Sequence, residues 1–211
     1  MTNVDDTKIN NRERPFDAVR RELLRDSGRD APGNVRLDPG RATRTGVPEF
    51  ILASSKSIDE VERSLRSLAG RIGRATATRC RDEQMDTLPA RFDAGFAVDV
   101  HREACAVTVS EHGREPASTG GRIGIITAGS SDIPVASEAA LIAREMGCEV
   151  VEVRDVGVAG LHRLVRPLEH LIDTGVHAII VVAGMDGALP SVVTGLVRVP
   201  VIGLPTSVGY G

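Results

Sequence analysis

The stretch Arg122-Ile-Gly-Ile-Ile-Thr-Ala-Gly-Ser-Ser-Asp132 decides the fold. Its first six residues form a short apolar run of the kind buried in a parallel sheet, and Gly129 with its neighbours then breaks the run. Residues 134–146 follow at helical spacing, with Pro134 near the start and Gly147 as the stop. The alternation continues to the end of the chain. Strands are predicted over 149–153, 178–182 and 200–204, and helices over 161–172 and 190–196, with Pro167 shortening or kinking the former. Near-continuous apolar strands separated by helices predict an α/β fold with a parallel, doubly wound sheet. In such sheets ligands bind outside the carboxyl ends of the strands, so the loops after each strand carry the functional reading.

Working backwards from residue 122, the texture changes. Residues 111–121 are rich in Gly, Pro and Ser and read as a linker. A small α+β domain is predicted over 37–117, ahead of the α/β domain at 118–211. Within it, 50–53, 75–78 and 104–109 read as strands, and 57–68 reads as a helix ended by Gly70. Residues 1–36 read as a tail in which Phe16, Val19 and Leu23 recur at helical spacing, predicting a short amphipathic helix over 15–25.

Composition narrows the function. The chain has 211 residues, 26 basic and 29 acidic side chains and a net charge of −3, which excludes a strongly basic nucleic-acid footprint. With four Phe, one Tyr and no Trp, it has little material for stacking bases. No run reaches the roughly 18 apolar residues of a membrane span, and the polar N-terminus is not a signal peptide. Cys80, Cys105 and Cys148 are odd in number and form no CxxC pair, so neither a disulfide framework nor a metal cluster is suggested. A cytoplasmic setting is the expectation.

Four loops stand at the strand ends. In the first, Gly129 allows close backbone approach, and Ser130, Ser131 and Asp132 precede a helix, whose free N–H groups favour an anion. Helix capping by Ser131 or Asp132 is an equal reading. The loop has neither the G-x-G-x-x-G nor the P-loop spacing, so dinucleotide-fingerprint hydride transfer and P-loop NTPase chemistry are unsupported. The second loop brings Asp155, His162 and Arg163 together around Gly157 and Gly160, with His162 placed for acid or base work and Arg163 for holding a phosphate or carboxylate, or all three as charges of a solvated surface loop. The third sets Asp186 between Gly184-Met185 and Gly187. That is a place for a general acid or base whose pKa burial would raise, or for a strand-terminating Asp. The fourth is Pro205-Thr-Ser-Val-Gly-Tyr-Gly211.

These motifs in this order resemble the LarB family, whose C-terminal half is a PurE-like, flavodoxin-like domain. The resemblance covers residues 121–211, and more loosely Arg41-Ala-Thr-Arg-Thr-Gly-Val-Pro-Glu49, Lys56 and Ala77-Thr-Arg79. It implies carboxylation of nicotinic acid adenine dinucleotide (NaAD) by CO2 on the pyridinium ring. The phosphoanhydride is then split to give pyridinium-3,5-biscarboxylic acid mononucleotide and AMP, a step in nickel-pincer nucleotide biosynthesis. It further implies covalent catalysis by a cysteine thiolate and ring-proton removal by Asp186, where the family commonly shows Glu. Ser130, Ser131 and Asp132 would hold ribose or phosphate, and Asp155, His162, Arg163, Gly184, Met185 and Ser207 would line the substrate pocket. No cofactor is expected to be tightly bound; magnesium would act through the substrate phosphates.

The resemblance to purine carboxylases is weaker. Their third loop resembles Ala-Gly-Gly-Ala-Ala-His-Leu-Pro, and Ala188 stands where that histidine would be. Aminoimidazole ribonucleotide carboxylation and a non-catalytic nucleotide-binding or oligomerisation module are the alternatives. The family's nucleophilic cysteine lies on the helix after the motif that here closes at Gly211. The expectation is therefore a truncated member that binds nucleotide weakly at best and does not turn over. Homo-octamers are implied by the resemblance, and a lower oligomer or aggregates are expected for the truncated chain.

Overall fold

The computed structural model describes residues 37–207. The helix expected over 15–25 lies outside them. The first lobe opens with α1 (Arg41–Thr45) and β1 (Phe50–Leu52), followed by α2 (Ile58–Ile72) and β2 (Arg74–Thr78). Then come α3 (Asp82–Thr87), β3 (Phe96–His101) and β4 (Ala106–Glu111). Its four strands run in the order β1-β2-β4-β3, with β1 parallel to β2 and the other pairs antiparallel. α2 starts on a capping box, in which Ser57 accepts the Glu60 N–H and Glu60 accepts the Ser57 N–H. It buries Val61, Leu65, Leu68 and Ala69 against Ala75, Ala77, Val107 and Val109.

Three points of the sequence reading are corrected here. α2 runs through Gly70 and stops at Gly73, which alone takes the left-handed conformation that closes the last turn. The strand β3 is absent from the sequence expectation, because its Ala97–Val100 segment is only half-buried or exposed and carries Asp99 in place of a continuous apolar run. The strand expected at 104–109 begins at Ala106, because Cys105 has φ +47° and ends the tight turn from β3.

The second lobe follows the prediction closely: β5 (Arg122–Thr127), α4 (Ile133–Glu145), β6 (Glu149–Val153) and α5 (His162–Thr174). It ends with β7 (Ala178–Ala183), α6 (Ala188–Thr194) and β8 (Val201–Pro205). Pro167 is accommodated inside α5 without ending it. All strands are parallel, in the order β6-β5-β7-β8. Ala136 and Ala140 of α4 cover Ile125 and Val182 on one face of the sheet. Leu164, Leu168 and Leu171 of α5, with Leu189 and Val193 of α6, cover Ile126, Ile179 and Val181 on the other. Helices on both faces explain why the strands read as continuous apolar runs.

The lobes are joined by more than the linker. Arg74 at the start of β2 holds Glu145 at the end of α4 through two parallel 2.8 Å hydrogen bonds. Ala104, Ala106 and Leu141 form a small buried cluster across the same junction.

Candidate active site

The chain runs from β5 outward to β6, then crosses back over β5 to β7, so the connections leave opposite faces of the sheet at the ends of β5 and β7. That reversal is the topological switch point, where open α/β sheets bind ligands. The expected site loops after β5, β6 and β7 therefore meet at one edge, and hydrogen bonds fix them there. The Ala128 N–H donates to the Val182 carbonyl at 2.9 Å and the Val156 N–H to the Thr127 carbonyl at 3.0 Å. The Thr127 hydroxyl accepts the Asp155 N–H at 2.9 Å. A Cβ on Gly157 would lie 2.7 Å from the Ala128 carbonyl oxygen, so only glycine lets the β5 and β6 loops touch.

Of the first-loop residues, Ser130 and Ser131 are exposed on a short 3-10 turn (Ser130–Asp132), and their hydroxyls have no hydrogen-bond partner among the described residues. Asp132 behaves differently. It is buried, Oδ2 accepts the Gly129 N–H at 2.9 Å, and Oδ1 accepts the Thr206 hydroxyl at 2.7 Å. Its carboxylate thus shapes the loop and pins the end of β8 to it; it does not cap α4.

In the second loop Arg163 and Asp155 form an ion pair at 3.1 Å, both about half exposed. His162 begins α5 and is exposed. In the third, Gly184 is half-buried, while Met185 and Asp186 are exposed. The burial expected for Asp186 is not found: its carboxylate stands at the rim, on a turn closed by the Gly187 N–H to the Gly184 carbonyl at 3.1 Å. Asp155 at φ +59° and Met185 at φ +51° are both left-handed. Non-glycine residues held so cost about 1–3 kcal/mol each and gather where ligands are clamped. Ser207 is exposed beyond β8.

Beside Asp186, the ends of β7 and β8 enclose a cavity of about 250 Å³ lined by Ala183, Gly187, Pro190, Gly203, Leu204 and Pro205. Gly203 keeps it open against Pro190, whose ring would touch a Cβ there at 3.4 Å. Thr127, Thr206 and this slot are not among the sequence candidates, although both threonines lie inside the motifs that are. No group of His, Cys, Asp and Glu suited to a metal occurs among the described residues. No helix among them is long and apolar enough to cross a membrane.

None of the cysteines lines this slot. Cys148 precedes β6 at the opposite end of the sheet. Cys80 is buried, and burial pushes its thiol up to about 11. Cys105 sits where the β3–β4 turn faces the first turn of α4.

Comparison with known proteins agrees with this architecture. Residues 30–111 match the LarB/PurE-like N-terminal domain, and residues 122–210 match AIR carboxylase. The uncharacterized protein MJ0165 of Methanocaldococcus jannaschii is 37% identical over 198 residues, spanning 93% of this chain and 77% of that protein. The chain belongs to the LarB/PurE-like family.

Proposed function

We propose, from membership of a carboxylase-type family, that the loop edge of β5, β6 and β7 binds nicotinic acid adenine dinucleotide for carboxylation by CO2 and phosphoanhydride cleavage. The observation that carries this reading is the third loop. A carboxylate, Asp186, stands beside a slot lined mainly by apolar side chains at the switch point, and the small residue Ala188 follows it in place of an imidazole. A flat pyridinium fits such a slot, and a rim carboxylate can take the proton that leaves the ring carbon. The match of residues 30–111 to the LarB/PurE-like N-terminal domain supports the same choice over a purine carboxylase.

The balanced reaction adds CO2 at a ring carbon, releases that carbon's proton to Asp186, and splits the phosphoanhydride with water into the biscarboxylated mononucleotide and AMP. The exposed Ser130 and Ser131 hydroxyls and the turn that carries them suit ribose or phosphate oxygens. Arg163, held by Asp155, offers its remaining donors to phosphate or to the ring carboxylate. Asp132 positions the first loop through Gly129. Magnesium would be held by the substrate phosphates. An electron-poor ring attacks CO2 only after a nucleophile has added to it.

Aminoimidazole ribonucleotide is the second reading, supported by the AIR carboxylase match over 122–210. Product analysis by mass spectrometry, with each substrate, bicarbonate and magnesium, separates the two. Biscarboxylated mononucleotide with AMP supports the proposal. Carboxylated imidazole ribonucleotide, with the dinucleotide untouched, overturns it.

A further inference from the structure

The junction between the lobes holds a cavity of about 290 Å³ lined by His101, Arg102, Glu103, Ala104, Ser137, Leu141, Arg144, Glu152 and Arg154. It starts one residue before the second site loop, since Arg154 directly precedes Asp155. Glu152 and Arg154 are two residues apart along an extended segment, so they share a side. That side faces α4, where Arg144 donates to Glu152 at 2.6 Å.

Two guanidinium groups, of Arg144 and Arg154, face two carboxylates across this space, while the third lining arginine, Arg102, is paired with Asp86. Arg154 presents its fork to the β3–β4 turn: Nη1 and Nη2 hold the two oxygens of Glu103 at 3.3 and 3.0 Å, and Nη2 also reaches Glu152 at 3.0 Å. Ser137 donates to Glu103 at 3.4 Å. Two parallel N–H···O bonds from one guanidinium suit a phosphate as well as they suit a carboxylate. Glu103 is exposed on a turn and can leave the fork without unpacking a core. His101 lines the same cavity, and its Nε2 is buried with no hydrogen-bond partner. Ala104 and Leu141 supply an apolar floor. The volume lies at the small end of ligand clefts, which run from roughly 300 to 1,000 Å³, so the cavity suits one nucleotide unit and not a dinucleotide.

We propose that this cavity is an adenosine-monophosphate subsite, with Arg154 backed by Arg144 as its phosphate fork and Glu103 as the competing carboxylate. Resting on the dinucleotide reading of the neighbouring loops, it assigns the adenylate half of the substrate to the lobe junction and the pyridinium half to the switch-point edge. The first lobe thereby takes part in binding, because its β3–β4 turn forms one wall of the subsite and supplies the competitor.

The test is calorimetric titration of the full chain with AMP, with inorganic phosphate and with nicotinate mononucleotide. AMP is expected to bind about tenfold more weakly to Arg154→Gln and Arg144→Gln, the loss of one charge-assisted bond. Glu103→Gln is expected to bind AMP severalfold more tightly, because the competitor has lost its charge. Nicotinate mononucleotide should bind all three variants alike. A purely structural clasp predicts the opposite sign for Glu103→Gln, with lower thermal stability and no gain in AMP affinity, and that result overturns the proposal. So does AMP binding that none of the variants changes. Inorganic phosphate binding as tightly as AMP overturns the nucleoside assignment. Should the arginine variants lose their circular dichroism, Glu103→Gln, at an exposed turn, still decides the matter. If AMP titrates as expected while nicotinate mononucleotide does not bind, the subsite stands and the reading of the neighbouring loops fails.

Discussion

The Thr206 hydroxyl donates a 2.7 Å hydrogen bond to Oδ1 of the buried Asp132, whose Oδ2 accepts the Gly129 N–H at 2.9 Å. One carboxylate thereby ties the loop after β5 to the end of β8. Asp132→Ala would leave a half-buried N–H and a half-buried hydroxyl without their partners, at about 1–3 kcal/mol. Thr206→Val should cost about 1 kcal/mol. Urea denaturation measures both, and dinucleotide affinity should fall with Asp132→Ala although Asp132 need not touch ligand.

Asp186 is exposed, so Asp186→Asn should leave stability within about 0.5 kcal/mol. Its effect belongs to the proton transfer. In a system that turns over, carboxylation should fall by about a hundredfold with dinucleotide affinity little changed. Rate and affinity measured side by side check this. Equal losses in both would make Asp186 a binding group.

Arg74 and Glu145 lock the lobes together, with side-chain exposures of only 15% and 7%. Arg74→Ala strands a buried carboxylate and should cost about 3 kcal/mol. Arg74→Lys should recover part of this, since an ammonium can hold only one point of a two-point contact. Chemical denaturation of the three proteins gives the ranking.

Burial holds the His101 imidazole below its ordinary pKa of 6.5, against the pull of Asp99 and Glu145. The unfolded chain therefore binds the proton first. Stability should be constant above pH 6.5 and should decline as pH falls from there through the lower folded value. Thermal midpoints across roughly pH 7.5 to 5, in about half-unit steps, should show this decline, and His101→Gln should remove that part of it.

The Cys80 thiol, pushed up to about 11 by burial, should alkylate at least about tenfold more slowly than Cys105 at about pH 8. Peptide mass spectrometry after timed iodoacetamide treatment gives the two rates.

The second lobe is legible in the sequence because its central strands β5 and β7 are buried and its first helix is bounded by Pro134 and Gly147, signals that act locally. The switch point follows from strand order and the loops from strand ends. Other features depend on contacts remote in sequence. β3 is half-exposed and carries no run to read. Gly70 and Gly73 look equivalent as helix stops until φ separates them. Asp132 looks like a cap because nothing near it in sequence reveals Thr206, 74 residues away. The rim position of Asp186 is likewise set by the turn between Gly184 and Gly187.

The most direct test of the dinucleotide site is calorimetric titration of the protein with nicotinic acid adenine dinucleotide and, separately, with 5-aminoimidazole ribonucleotide, in magnesium. The dinucleotide is expected to bind, Asp132→Ala to weaken it, and the imidazole ribonucleotide not to compete. Binding of the imidazole ribonucleotide with none of the dinucleotide would contradict that assignment.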